Sequence, residues 1–346
     1  MKRKAGCILL VMIMCSVNII GCTGKKEGFN EKKEAVSKIQ IGVTYDSKVL
    51  ERWVRDIDVF VSTAERMGAQ VDVQSANSDL ATQIDQIDYF TQQGKDVIVI
   101  VAVDCDKLVK AVTRAREKGV KVISYDRLIN GVQTDLFVSF DNEKVGELMA
   151  DTMIQALPAG GKIMMISGPK SDSNAVIIEN TFKKRIAGTG LEIVQIEHAK
   201  GWTAEYAFET VDAAFENISD IDGVMCGNDG LAVQAINALA ERRLAGNVVV
   251  VGQDADVEAC QKIVEGMQTM TVYKPIESLA KKAAEYAVML AQNLPLSNVN
   301  EEVVTGNYTV RANLITPIAV TKDNMDKVII DSGFHLHEDV YRNVIE

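Results

Sequence analysis

Cysteine is too sparse in this 346-residue chain to staple it. Three of the six cysteines fall within the first 22 residues, and the rest, Cys105, Cys226 and Cys260, form an odd, widely spaced set. That pattern excludes a disulfide framework and a metal-type Cys pair, and predicts small buried side chains. Basic charge is also short, with 37 Lys and Arg against 48 Asp and Glu. A chain so acidic has no general affinity for a phosphate backbone, so nucleic acid is not an expected partner. After Cys105 no hydrophobic run is long enough to span a bilayer. There is no Ser-His-Asp order, phosphate-binding glycine loop or metal cluster, so neither an enzyme nor a cofactor is expected. The three histidines, His198, His335 and His337, are expected outside any binding cluster.

What is present begins at the N-terminus. Lys2, Arg3 and Lys4 precede Cys7–Ile20, which is apolar except for Ser16 and Asn18. The stretch is short for a membrane span and suits the apolar region of a secretory signal. It ends in Ile19-Ile20-Gly21-Cys22, which resembles a bacterial lipobox, cut before a lipid-bearing cysteine. Residues 1–21 are therefore expected to be a signal peptide, and Cys22 the lipidation site. Residues 22–37 are expected to be a flexible tether, and the mature protein to sit on the extracytoplasmic face of the cell membrane. Without residues 1–21, 34 basic residues face 48 acidic ones, a formal charge of −14.

From Lys38 onward short apolar runs alternate with stretches of helical spacing. Ile39–Thr44, Val71–Val73, Val97–Val103 and Val120–Tyr125 read as strands. Val49–Met67, Leu80–Gln93 and Leu108–Lys118 between them read as helices. The alternation restarts after Phe140 and runs to Thr269–Tyr273, followed by a helix over Ile276–Gln292. Repeated βα units imply parallel sheets with helices on both faces. So many strands predict two doubly wound α/β lobes rather than one sheet. The breaks place the lobes at 38–141 plus 275–312 and at 142–274 plus 313–346, with the last forty residues less regular.

Open parallel sheets bind ligands beyond the carboxyl ends of their strands. The residues following the expected strands include Asp46, Arg52, Trp53, Asp104, Asp126, Arg127, Asp141, Asn142, Asp172, Asn174, Trp202, Asn228, Asp254 and Lys274. Carboxylates, amides, guanidinium and ammonium groups are multidentate partners for vicinal hydroxyls. The only two tryptophans lie beside these polar positions, one in each expected lobe, and offer flat faces to the C–H face of a sugar. Asp104, Asp141 and Asp256 also read as caps or turn residues, and Trp53 as core on its helical stripe.

Several long motifs share a pattern: Leu50-Glu51-Arg52-Trp53, Tyr125-Asp126-Arg127, Val138–Glu147, Gly252-Gln253-Asp254-Ala255-Asp256, Gln268–Pro275 and Asp331-Ser332-Gly333-Phe334-His335. With them the chain resembles the periplasmic sugar-binding proteins of ABC importers, and among these the D-xylose-binding group. The resemblance implies two lobes joined by a three-crossing hinge and closing on a monosaccharide. D-xylose is the expected ligand, with glucose or a related sugar as the other candidates. It also implies a site in which Arg52, Asp126 and Arg127 bind hydroxyls from the first lobe. Asp172, Asn174, Asn228, Asp254 and Lys274 would bind from the second lobe and a crossing, and Trp53 and Trp202 would sandwich the ring. Ala102-Val103-Asp104-Cys105 and Gly168–Asp172 depart from the group's pattern. The expected partner is the permease of an ABC importer; the alternative is a membrane sensor kinase that reads ligand status.

The lipobox reading has a direct test. Cys22→Ala is expected to release the protein from the membrane fraction or leave it as unprocessed precursor. Unchanged lipid labelling of the variant would refute it.

Overall fold

The computed structural model describes residues 38–48, 52–218, 220–299 and 301–344; Cys22, the signal and the tether lie outside them. In chain order the first elements are β1 (Gln40–Tyr45), α1 (Arg52–Arg66), β2 (Gln70–Ser75), α2 (Leu80–Gln92), β3 (Val97–Ile100), α3 (Val109–Glu117), β4 (Lys121–Tyr125) and β5 (Leu136–Phe140). Next come α4 (Asn142–Ala156), β6 (Gly161–Ser167), α5 (Ser173–Ile186), β7 (Leu191–His198), α6 (Glu205–Asn217), β8 (Gly223–Cys226), α7 (Asp229–Glu241), β9 (Val249–Gln253), α8 (Val257–Val264) and β10 (Met270–Tyr273). The chain closes with α9 (Ile276–Ala291), β11 (Glu301–Thr305), β12 (Tyr308–Ile315), β13 (Ile318–Val320) and α10 (His337–Val340).

The strands form two sheets, ordered β11-β12-β5-β4-β3-β1-β2 and β13-β10-β9-β8-β6-β7. Pairing is parallel except where β11 meets β12 and β13 meets β10. The two α/β lobes expected from the alternation are present, each with an antiparallel edge strand. The chain passes between the sheets after β5, after β10 and after β12. Continuous apolar runs such as Val-Ile-Val-Ile in β3 are fully buried, as suits a strand covered on both faces. In the first lobe Phe60 and Ala64 of α1 pack with Leu279, Ala280 and Ala283 of α9 in one core cluster. Cys105, Cys226 and Cys260 are free and buried. Among the described residues no helix is long and apolar enough to cross a membrane.

Two departures from the expected elements have identifiable causes. The strand expected over Val97–Val103 ends at Ile100. Beyond it Gln83 of α2 donates to the Val101 carbonyl at 2.9 Å and accepts from Val103 N at 2.8 Å. A side chain thus replaces the neighbouring strand, and the freed backbone turns toward the other lobe. The last forty residues, expected to be less regular, open with β12, which pairs back on β11 in a hairpin around the Gly306-Asn307 loop. Gly306 takes φ 57° there, which only glycine adopts without strain.

Helices α4 and α5 approach so closely that only glycine fits at 146. A Cβ there would lie 2.7 Å from the Ile178 carbonyl oxygen and 2.9 Å from Thr181 Cβ. An open helix position would gain up to about 1 kcal/mol from Gly→Ala. Gly146→Ala is instead expected to cost about 1–3 kcal/mol, because backbone must shift. Urea unfolding with an unchanged slope would read it directly.

Candidate functional site

Each lobe contributes strand ends to the space between the sheets. On the first lobe, β4 ends at Tyr125, and Asp126 turns with φ 63° while its amide donates to the Val138 carbonyl at 2.7 Å. The Ser139 hydroxyl donates to the Asp126 carbonyl at 2.6 Å. The side chains of Asp126 and Arg127 leave the sheet from this fastened turn. On the second lobe, Asp254 follows β9 with φ 102°, and its amide donates to the Val272 carbonyl at 2.9 Å. Trp202, with φ 61°, packs on Gly168. Non-glycine residues at positive φ cost about 1–3 kcal/mol each and persist only where surrounding contacts determine them.

The candidates meet in two linked clusters. In the first, Arg52 Nη2 lies 2.8 Å from Asp126 Oδ2 and 2.9 Å from Asp56 Oδ2, while Nη1 lies 3.9 Å from Asp254 Oδ1. Lys274 Nζ sits 2.6 Å from that same Asp254 oxygen. Asn174 donates to Asp126 Oδ1 at 2.9 Å and accepts from Asn142 at 2.9 Å. In the second, Arg127 donates to Asp46 Oδ2 at 2.8 Å and to the Ala102 carbonyl at 2.7 Å, and its Nε lies 2.7 Å from Asp172 Oδ2. Trp202 Nε1 donates to Asp172 at 3.2 Å. The contacts Arg127–Asp172, Asn174–Asp126 and the longer ion pair Arg52–Asp254 run between the lobes.

Trp53 is 1 % exposed and belongs to the core cluster with Phe60 and Ala64. Its ring also carries the Arg52 guanidinium at 4.3 Å and that of Arg127 at 5.7 Å. It is therefore both core and floor to two candidate arginines. Asn228 is buried, caps α7 by accepting from Leu231 N at 3.0 Å, and forms no direct bond with the other candidates. Asp256 occupies the N-cap position of α8 without a side-chain cap bond; its amide donates to Asp229 Oδ2 at 3.1 Å. The capping role expected of its side chain is thus corrected, since the buried Asp229 carboxylate orders this turn through the backbone. His198 pairs with Glu179, and His337 stacks on Tyr341. His335 lies closer to the cluster than expected, 2.7 Å from the carbonyl of Ala255.

The sequence reading passed over Asp56 and Gln253 and left Asp46 and Asn142 out of the site. The latter two stand at strand ends, so the rule that found Asp126 also covers them. Asp56 carried only its spacing of four positions from Arg52 as a signal, which a solvated surface pair would share. Gln253 ends β9 and donates to the Gly227 carbonyl at 2.6 Å.

Burial and pairing set the charges. Burial works against the Arg52 guanidinium, but Asp126, Asp56 and Asp254 outweigh it and hold the group charged. Burial likewise pushes Asp126 up, yet Arg52, Lys274 and Arg127 bring its carboxyl below the usual value. Asp172 is raised by burial despite Arg127. Asp46 Oδ1, Trp53 Nε1 and Gln253 Oε1 are buried with no hydrogen-bond partner among the described residues. Such atoms each cost about 1–3 kcal/mol unless something supplies the bond.

This geometry brings buried cations, carboxylates and amides of both lobes together between the two sheets. A periplasmic binding protein domain matches residues 41–295. The chain belongs to the periplasmic binding protein family. Over 308 residues, 88 % of this chain and 92 % of the relative, it is 42 % identical to the D-xylose-binding periplasmic protein of Haemophilus influenzae. The protein of the same name from Escherichia coli K12 is 39 % identical over 86 % of this chain and 91 % of its own. Among solved structures, an ABC transporter solute-binding protein from Clostridium phytofermentans with bound β-D-glucose superposes with a TM-score of 0.80. It is 26 % identical and covers 87 % of this chain and 99 % of that one.

Gly168 tests how the second lobe seats its aromatic. A Cβ there would lie 2.3–2.8 Å from the Trp202 ring carbons, so Gly168→Ala must displace the indole, at a cost of about 1–3 kcal/mol. Tryptophan emission is expected to shift relative to wild type, and the shift to vanish when Trp202→Phe is added. An unchanged spectrum would refute the packing.

Proposed function

We propose that this periplasmic binding protein captures a monosaccharide, D-xylose foremost, between its lobes and delivers it to an ABC importer. The observation that carries the reading is the chemistry of the cleft. Two arginines, a lysine, five carboxylates and the amides of Asn142, Asn174 and Gln253 converge there, and three buried polar atoms have no hydrogen-bond partner among the described residues: the acceptors Asp46 Oδ1 and Gln253 Oε1 and the donor Trp53 Nε1. A sugar hydroxyl both donates and accepts, so a ring of hydroxyls complements such a mixture where a purely anionic or cationic ligand does not. Two relatives near 40 % identity are named for D-xylose binding, which supports that sugar as the ligand. Glucose, bound in the solved relative, is the second sugar to test.

The proposed contacts are Arg52, Asp126 and Arg127 from the first lobe and Asp172, Asn174, Asn228, Asp254 and Lys274 from the second lobe and its crossing. Trp53 and Trp202 supply the apolar faces. Sugar hydroxyls insert among groups already paired across the cleft, so closure exchanges interlobe bonds for sugar bonds. The reading is of capture, not catalysis: Asp126, Asp172 and Asp254 are each held against a cation and are poor candidates for proton transfer. We further propose that lipidated Cys22 tethers the protein to the outer face of the membrane.

Removing one partner of a buried charge pair costs about 3–5 kcal/mol. Arg127→Ala and Asp254→Ala are therefore expected to weaken D-xylose binding by at least about a hundredfold in calorimetric titration. Asp256→Ala, two residues on, is expected to keep nearly full affinity. If Asp256→Ala loses binding while Asp254→Ala keeps it, the site is misplaced; if wild-type protein binds neither xylose nor glucose, the reading falls.

A further inference from the structure

Asp56 lies outside the ring of proposed sugar contacts yet grips its central cation. It is fully buried on α1, one turn beyond Arg52. Its Oδ2 accepts from Arg52 Nε at 3.1 Å and from Nη2 at 2.9 Å. Its Oδ1 accepts from the Tyr125 hydroxyl at 3.0 Å. Tyr125 is the 2 %-exposed last residue of β4, so the grip is anchored to the sheet whose next two residues, Asp126 and Arg127, are themselves proposed contacts.

A guanidinium is a rigid planar fork, so fixing one edge aims the other. With Nε and Nη2 held by Asp56, the free edge of Arg52 faces Asp126 at 2.8 Å and Asp254 at 3.9 Å. That edge reaches both lobes. The charged and titratable groups facing Asp56 are Arg52 from its own helix and Tyr125 and Asp126 from the end of β4. Asp254 and Lys274 act on it through Arg52. Helix α9, packed along α1, turns Leu279, Ala280 and Ala283 inward, and its Glu277 pairs with the half-exposed Arg55 instead.

We propose that Asp56 is the positioning residue for Arg52 and that sugar capture requires it ionised, an inference that rests on the monosaccharide reading above. Ionised, Asp56 holds the Arg52 fork by charge and through Oδ2, which accepts both of its hydrogen bonds, while Oδ1 is held by Tyr125; a proton on that carboxyl removes the charge from the pair, and on Oδ1 it also displaces the Tyr125 donation, so the grip on the guanidinium loosens. Burial pushes this carboxyl up to about 6, with Arg52 pulling the other way. Its neighbours do not share that titration: Asp126 lies below the ordinary carboxylate value and Tyr125 well above the ordinary phenol value. Affinity is therefore full well above pH 6 and falls as pH drops through it. The Tyr125 hydroxyl favours the ionised form, so its loss moves the fall to higher pH.

The test is calorimetric titration of D-xylose into the protein from pH 5 to pH 8, with folding checked by thermal melting. Wild-type affinity is expected to fall about tenfold from pH 7.5 to pH 5, as one charge-assisted bond is lost. Asp56→Asn is expected to bind at least about tenfold more weakly at pH 7.5, with a shallower pH profile than wild type. Should Asp56→Asn not fold, Tyr125→Phe carries the test, its affinity loss beginning at higher pH than in wild type. Asp56→Asn with wild-type affinity or the wild-type slope overturns the inference, as does an unmoved profile in Tyr125→Phe. Wild-type protein without xylose affinity overturns the underlying reading instead.

Discussion

The structure turns on the need to pair charge buried between the lobes. Arg52 and Arg127 are 8 % and 2 % exposed, and Asp126 and Asp172 only 3 % each. An unpaired charge at such depth costs several kcal/mol, and even a pair gains little unless its remaining donors and acceptors are met. Each arginine therefore has several partners: Asp56, Asp126 and Asp254 around one, Asp46, Asp172 and the Ala102 carbonyl around the other. Satisfying these forks requires groups from both sheets. The relation between the lobes is thus set largely by these charge pairs, with Phe334 the partly buried apolar side chain packed against core clusters of both.

That demand explains local features that look like irregularities in isolation. β3 stops at Ile100 because Gln83 takes the backbone groups of Val101 and Val103. The next carbonyl in that stretch, Ala102, is left pointing where Arg127 uses it. Asp126 accepts positive φ because its amide and carbonyl are both bound to β5. Asp254 is held in the same way by Val272, and the Ala255 that follows, also at positive φ, donates to Thr271 Oγ1 at 3.1 Å. At Asp126 and Asp254 the strain falls on a residue whose side chain leaves the sheet toward the cleft.

Much of this was legible in the sequence, and the parts that were not share a cause. The βα alternation marks nearly every element because buried parallel strands read as apolar runs and their helices as stripes. The strand-end rule picks out Arg127, Asp172 and Asp254 because topology alone carries those positions to one edge. Asp56 escapes it because it sits in the second turn of a helix, where an acid ordinarily reads as solvated surface. Only the fold shows that this turn faces Tyr125. The Asp256 cap was misread because Asp229, 27 residues away, orders that turn through the backbone, and pairing at that separation leaves no local pattern.

The mixture of signs in the cleft also bears on how an acidic protein can hold a neutral ligand. Around Arg52 and Lys274 stand Asp56, Asp126 and Asp254, three carboxylates to two cations; around Arg127 stand Asp46 and Asp172, two to one. Each cluster thus carries one carboxylate more than its cations balance. An added anion would be repelled, and an added cation would compete with arginines already bonded at 2.7–2.9 Å. A neutral polyol meets neither obstacle. It can accept from the arginines and donate to the surplus carboxylates, satisfying both sides without changing the net charge, which neither a sugar acid nor an amine could do.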